Sequence, residues 1–175
     1  MEVITVGVGD CRVSSDPGVS LVTHALGSCI AVAIHDPVAG VGGLLHFLLP
    51  ECGLNFERAR VQPFMFADTG IPQLFHQVYA LGGDRSRLSV RLIGGAKVLD
   101  PDGFFHIGRK NYAACRRILG AAGFAIQGEA VGGAISRTVR LDVGSGELWW
   151  SSGGGQLHSL PQRGVLGGCL EKERP

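Results

Sequence analysis

Cys29-Ile30-Ala31-Val32-Ala33-Ile34-His35, then Asp36-Pro37-Val38-Ala39-Gly40, then Val41-Gly42-Gly43-Leu44-Leu45-His46-Phe47-Leu48-Leu49 is the stretch on which the fold turns. Two apolar runs of strand length flank five residues suited to a reversal. Pro37 fits the second position of a turn because its ring presets φ, and Gly40 accepts positive φ without a Cβ clash. The stretch reads as a β-hairpin. Loop length then decides what faces what. A two-residue loop at Pro37-Val38 sets Cys29 directly opposite His46, with Cβ atoms ~4.5–5.5 Å apart. A four-residue loop leaves them diagonal on one face, and a three-residue loop sends them to opposite faces.

Outward from the hairpin, residues 2–8 and 11–13 read as a short apolar pair of strands broken at Gly9-Asp10. Residues 21–24 form a brief strand before Ala25-Leu26-Gly27. Residues 51–61 are polar and irregular, which predicts an exposed loop. From about 62 to 81 the period becomes helical, with Phe64, Ala67, Ile71, Leu74, Phe75 and Val78 near one face. Pro72 interrupts that pattern and predicts two shorter pieces or a kink near Gly70. Residues 88–93 alternate like a strand. A helix follows over about 109–122, with Tyr112, Cys115, Ile118 and Leu119 inward and Gly123 as its stop. Residues 124–131, 136–143 and 147–151 complete a run of strands. The expected class is α+β, with packed mixed β-sheets, sandwich-like and flanked by two or three helices. One domain is expected over residues 1–163, followed by a loosely ordered tail at 164–175.

The 175 residues are 45% hydrophobic with a formal net charge of +1. Such a chain buries a core without disulfide staples, and its overall charge favours neither nucleic acid nor anionic membrane. The basic cluster at Arg109-Lys110 and Arg116-Arg117 fits the solvated side of a helix. Met1-Glu2-Val3-Ile4-Thr5 lacks the basic and long apolar regions of a signal peptide. No stretch reaches the ~18 apolar residues of a membrane helix. Cys11, Cys29, Cys52, Cys115 and Cys169 are odd in number and never paired as C-x-x-C, so a reducing cytoplasm is the expected compartment. Glycine numbers 28, roughly twice the usual ~7%, and falls in pairs between apolar runs, as short strands and tight turns require.

A cysteine in an apolar strand is most often inert core, because a free thiol behaves as a small hydrophobe. Cys29 has context that changes its reading. Gly27 before Ser28-Cys29 permits a sharp turn that leaves backbone N–H groups to meet an oxyanion. The hairpin returns His46 toward the thiol as a base. Thr23 can accept from the other imidazole nitrogen and fix the ring, the role that triad logic gives a third group. His24 is the nearest rival but alternates away from Thr23. A metal site of His24, Cys29 and His46 lacks any close ligand pair, so no metal is expected. Gly7-Val8-Gly9 and Gly94-Gly95-Ala96-Lys97 lack the remaining positions of dinucleotide and phosphate loops, and no cofactor is expected.

Thr23-His24-Ala25-Leu26-Gly27-Ser28-Cys29, Asp36-Pro37 and Gly42 through Pro50 together resemble the signature of the chemoreceptor glutamine deamidases, the CheD family. The likeness continues through Phe66-Ala67-Asp68-Thr69-Gly70-Ile71-Pro72, Gly94-Gly95-Ala96, Ile107-Gly108-Arg109-Lys110-Asn111, Gly132-Gly133 and Ser136-Arg137. It spans residues 3–150. The resemblance implies a fold similar to the catalytic domain of deamidating toxins. It also implies a cytoplasmic enzyme that turns glutamine side chains of bacterial chemoreceptors into glutamate and ammonia in chemotaxis adaptation. Cys29 matches its nucleophile, His46 its general base and Thr23 the residue orienting that base. Chemoreceptors are the implied substrate, and some relatives bind a chemotaxis phosphatase of the CheC type. A receptor-docking adaptor with little catalysis is the alternative.

Overall fold

In the computed structural model the described residues are 1–53, 55–98 and 106–161. In chain order the strands are β1 (Glu2–Thr5), β2 (Asp10–Ser14), β3 (Val19–Leu26), β4 (Ile30–Asp36), β5 (Val41–Phe47), β6 (Ser89–Gly94), β7 (Gly128–Val131), β8 (Arg137–Asp142), β9 (Leu148–Ser151) and β10 (Leu157–Ser159). The helices are α1 (Phe56–Val61), α2 (Ala67–Ala80) and α3 (Ile107–Ala121), with one 3-10 turn at Pro63–Met65. The strands form two mixed five-stranded sheets, ordered β1-β3-β8-β9-β10 and β2-β5-β4-β6-β7. The α+β class with two packed sheets and flanking helices is the one expected.

The hairpin β4–β5 lies at the centre of the second sheet, and every residue of both strands is buried. Its alternation explains the layering. Ile30, Val32, Ile34, Leu45 and Phe47 share a core with Ile71, Leu74 and Phe75 of α2 and Cys115 and Leu119 of α3. The opposite face carries Ala31, Ala33 and Leu44 against Leu21, Val139 and Leu141 of the first sheet. On β4 the branched side chains meet the helices and the two alanines meet the other sheet, so the helices find a filled surface while that strand leaves room for the facing sheet.

Asp36 settles the register. Its buried carboxylate accepts from Val38 N and Ala39 N at 2.9 and 3.0 Å, and pairs with Arg87 at 2.8 Å. Burial alone would raise this carboxyl, but the Arg87 guanidinium and backbone N–H groups hold it below the usual range. The loop wrapped on Asp36 has four residues, and Asp36 pairs with Val41. Of the three lengths considered, the four-residue form is therefore the one adopted. It keeps Cys29 and His46 on one face, two positions out of direct opposition.

Several local expectations are corrected. Residues 2–5 and 10–14 do not pair with each other: β1 runs parallel to β3, while β2 runs antiparallel to β5 in the other sheet. Residues 51–61 are not wholly loop, since α1 forms over 56–61 with Asn55 accepting from Arg58 N as its cap. With only Ala59 buried, that helix has no apolar stripe to read. The break before α2 falls at Phe66, not Gly70, and the helix runs on through Pro72. The cause is tertiary. Leu48 N and Leu49 N both donate to Met65 O, and Ala67 N donates to Leu49 O, which draws residues 65–67 into extended pairing. Strand β10 went unforeseen. The exposed side of α3 does carry Arg109, Lys110, Arg116 and Arg117 as expected. The predicted tail 164–175 and Cys169 lie outside the described residues.

Candidate active site

Residues 27–29 connect β3 of one sheet to β4 of the other, so Cys29 stands where the two sheets part. Cys29 keeps 8% exposure while His46 and Thr23 have none, which makes it the one residue of the three that solvent reaches. Cys29 belongs to the core cluster between the sheets, beside Ala31, Leu44 and Ile93. Alternation along β5 puts His46 on the same face as Leu44. In this register the two side chains are diagonal neighbours, a spacing of roughly 7–8 Å between backbones that a sulfur and an imidazole ring can span.

Thr23 reaches across from the first sheet. Its Oγ1 lies 2.8 Å from His46 Nδ1 and 2.7 Å from Val6 O. These contacts fix the tautomer. A carbonyl only accepts, so the single hydroxyl proton of Thr23 goes to Val6 O. The Nδ1 contact must then be N–H donating to Oγ1, which leaves Nε2 with the lone pair. Nε2 is buried and has no hydrogen-bond partner among the described residues. Its lone pair is free on the face of the sheet that Cys29 shares.

Burial controls the charges. It lowers His46 from 6.5 to about 4. It also raises the Cys29 thiol, partly offset by that residue's own backbone N–H. Thiol and imidazole therefore rest as a neutral pair. The same force acts harder elsewhere: burial pushes Cys11 up to about 12 and raises Cys115 as well. Cys11, Cys29, Cys52 and Cys115 are all free thiols.

A pH dependence of stability follows. Unfolded His46 takes up a proton near 6.5 and the folded form only near 4, so the unfolded state binds more protons between those values and stability falls as pH falls. The full contribution is present above 6.5. Its loss by pH 4 is worth about 3 kcal/mol. His35 is lowered too, chiefly by burial, and adds to the same trend. Urea unfolding at pH 7, 5.5 and 4 should show the decline, and His46→Gln should flatten much of it.

The turn carrying Cys29 is held by its carbonyls. Gly27 O accepts from Ala96 N, and Cys29 O accepts from Gly95 N, each at 2.8 Å. Ser28 O accepts from Asn111 Nδ2 at 2.9 Å. Gly94-Gly95-Ala96, which is no phosphate loop, is the shelf on which the turn rests. Gly132 N in turn donates to Gly94 O, and Lys97 N to Gly133 O, so the two late glycine pairs lock together.

The structure thus joins Thr23 to His46 directly and places Cys29 on their side of the sheet. His24 is exposed and separate from them. His35 Nε2 is occupied by Val143 O at 2.9 Å, and His158 stacks on Trp150. Asn111 and the Val6 carbonyl were not singled out from the residues themselves. Asn111 had one signal, a polar residue on the inward stripe of the second helix.

A family model for CheD chemotactic sensory transduction matches residues 48–152. The chain is 52% identical over 167 residues to a protein of Solibacter usitatus named "Probable chemoreceptor glutamine deamidase CheD", with 94% of this chain and 99% of that one covered. A CheD-named protein of Anaeromyxobacter dehalogenans is 51% identical over 153 residues, covering 87% of this chain and 96% of the relative. The likeness extends to Pyrococcus horikoshii, at 37% over 150 residues with 85% and 91% covered. This chain belongs to the CheD family. Among the described residues, no helix is long and apolar enough to cross a membrane.

Proposed function

We propose that this CheD-family chain hydrolyses the side-chain amide of chemoreceptor glutamines, with Cys29 as nucleophile, His46 as base and Thr23 as the residue that orients the base. The observation that carries the reading is the buried, unpartnered His46 Nε2 on the face of Cys29, with Nδ1 held by Thr23. The names of the relatives supply the substrate class.

The steps balance as follows. Sγ–H gives its proton to Nε2 as sulfur bonds to the amide carbon, and the carbonyl becomes an oxyanion. Burial disfavours each charge singly, so proton transfer accompanies attack rather than preceding it. The imidazolium passes its proton to the departing nitrogen, the C–N bond breaks and ammonia leaves a thioester. Water then yields a proton to Nε2 while its oxygen bonds to the carbon. The C–S bond breaks, sulfur recovers the proton and glutamate is released. Each turnover installs a negative charge on a receptor helix, which shifts the balance of its signalling states. The proposed compartment is the reducing cytoplasm, consistent with the free thiols among the described residues. We extend the proposal to a CheC-type phosphatase as partner by family resemblance alone.

Receptor fragments incubated with the protein should release ammonia and gain about one dalton per site, the chemistry of an amide hydrolysed by an activated nucleophile. No mass gain on any fragment would sink the reading. Thr23→Val should lower kcat about 10–100-fold with KM little changed, since a ring free to take the wrong tautomer retains its place but not its lone pair. Leaving Val6 O unsatisfied should cost ~1–3 kcal/mol in stability. Thr23→Ser should recover most of both.

A further inference from the structure

Asn111 lies on the inward side of α3 and is fully buried. Its Nδ2 donates one proton to Ser28 O at 2.9 Å and the other to Leu48 O at 3.0 Å. One side chain thus joins the turn before β4 to the chain leaving β5. Ser28 precedes Cys29 directly, and Leu48 follows His46 by two. Nothing in the thiol–imidazole–hydroxyl scheme uses this amide.

The Ser28–Cys29 peptide has a property that makes the first bond consequential. A trans peptide is planar, and its C=O and N–H point in opposite directions. Drawing Ser28 O toward α3 therefore turns Cys29 N–H away from α3, toward the space between the sheets. The same constraint at Gly27 O, held by Ala96 N, turns Ser28 N–H outward from the shelf. Cys29 N–H also lies close enough to its own sulfur to ease the thiolate. A carbonyl attacked by that sulfur develops its oxyanion beside that N–H.

We infer that Asn111 is a positioning residue for the deamidation: acting through the Ser28–Cys29 peptide, its amide aims the Cys29 N–H at the oxyanion of the tetrahedral intermediate. The inference rests on the reading of Cys29 as nucleophile. Asn111 touches no reacting atom and works by fixing a donor. Its buried Oδ1, without a partner among the described residues, fits a side chain retained for its two donors. An apolar residue of similar size would avoid that unsatisfied oxygen but would release both carbonyls.

The test compares two reactions of the same sulfur. Alkylation by iodoacetamide displaces iodide and forms no oxyanion, so it reads the thiol and His46 alone. Deamidation of a receptor fragment reads those and the oxyanion donor together. Asn111→Asp keeps the shape but cannot donate when ionised. It should lower kcat about 10–100-fold, a share of the 10²–10³ that deleting an oxyanion donor costs. KM should change little, and the alkylation rate should stay within about threefold, the context scatter of one minor interaction. Binding of a peptide aldehyde in place of the glutamine should weaken in step with kcat. Should Asn111→Asp fail to fold, Asn111→Leu carries the same comparison, because it fills the space with no donor and removes the unsatisfied oxygen. An unchanged kcat in a folded variant overturns the inference. So does an alkylation rate that falls as far as kcat, because the amide would then be holding the fold or the Cys–His pair. Cys29→Ala, run alongside, separates the two claims: if it stays active the nucleophile assignment fails, and if it is dead while Asn111→Asp is fully active only the positioning role fails.

Discussion

Replacing Cys29 by Ala is expected to cut ammonia release from receptor fragments by at least ~10⁴-fold while leaving the protein folded. Removing a nucleophile from a base-assisted hydrolase leaves only what binding and the oxyanion donors supply, and such losses reach ~10⁶ in kcat. The structural cost is small. Cys29 sits at the rim of its cluster with 8% exposure, and loss of one sulfur there costs about 1 kcal/mol. For a chain of this size that lowers Tm by about 2–4 °C. Cys29→Ser should be nearly as inactive, because a hydroxyl holds its proton more tightly than a thiol and burial has lowered His46 to about 4. Two of the other thiols are poor substitutes: Cys11 is pushed up to about 12 and Cys115 is raised too, both chiefly by burial. Ammonia release within tenfold of the unmodified protein would end the case for Cys29 and favour a different nucleophile.

The second large effect concerns a residue with no chemistry. Gly94→Ala should cost about 2–6 kcal/mol and take the activity with it. Gly94 ends β6 at φ +117, and a Cβ there would lie 2.2 Å from Cys29 O and 3.2 Å from Ile30 Cα. Backbone strain at such a φ costs ~1–3 kcal/mol for a residue with a side chain. Relieving overlap with a backbone oxygen adds a similar amount, because neither partner is a flexible side chain. Total stability of a domain is about 5–15 kcal/mol, so this is a substantial fraction, and the Tm drop should be ~10–20 °C. The retreat must come from the Cys29 turn, so activity falls even where the fold survives. Gly40→Ala is the contrast. Its φ of +63 is also left-handed, but nothing lies within 4 Å of the added carbon, so about 1 kcal/mol is expected. Thermal unfolding of the two variants decides the matter, and equal losses would remove the special role of the shelf.

The hairpin was legible because its evidence is local: two apolar runs of strand length with a proline and a glycine in the five residues between them. The shared face of Cys29 and His46 was legible only in part, since both even loop lengths keep them together while a three-residue loop separates them. Thr23 was legible as a residue type on the strand before Cys29, but its contact to His46 joins two different sheets. Asn111 looked like one polar residue on a helix. Only packing shows that its amide reaches the carbonyls of Ser28 and Leu48 at once.

Sequence alone determined the α+β class, the central hairpin and the period of α2 and α3, and it narrowed the loop to three lengths, of which the two even ones put thiol and imidazole on a common face. Those features arise from interactions within a few residues, where the spacing of side chains dictates backbone preference. Tertiary structure decided the rest. Arg87, 51 residues from Asp36, helps anchor the carboxylate on which the loop closes at four residues. Pairing with β3 and β5 divided β1 and β2 between two sheets. The Val6 carbonyl selected the hydroxyl direction of Thr23 and so the tautomer of His46. Each of these depends on groups far apart in the chain, whose meeting leaves no local pattern because its free energy appears only once both sides are buried together.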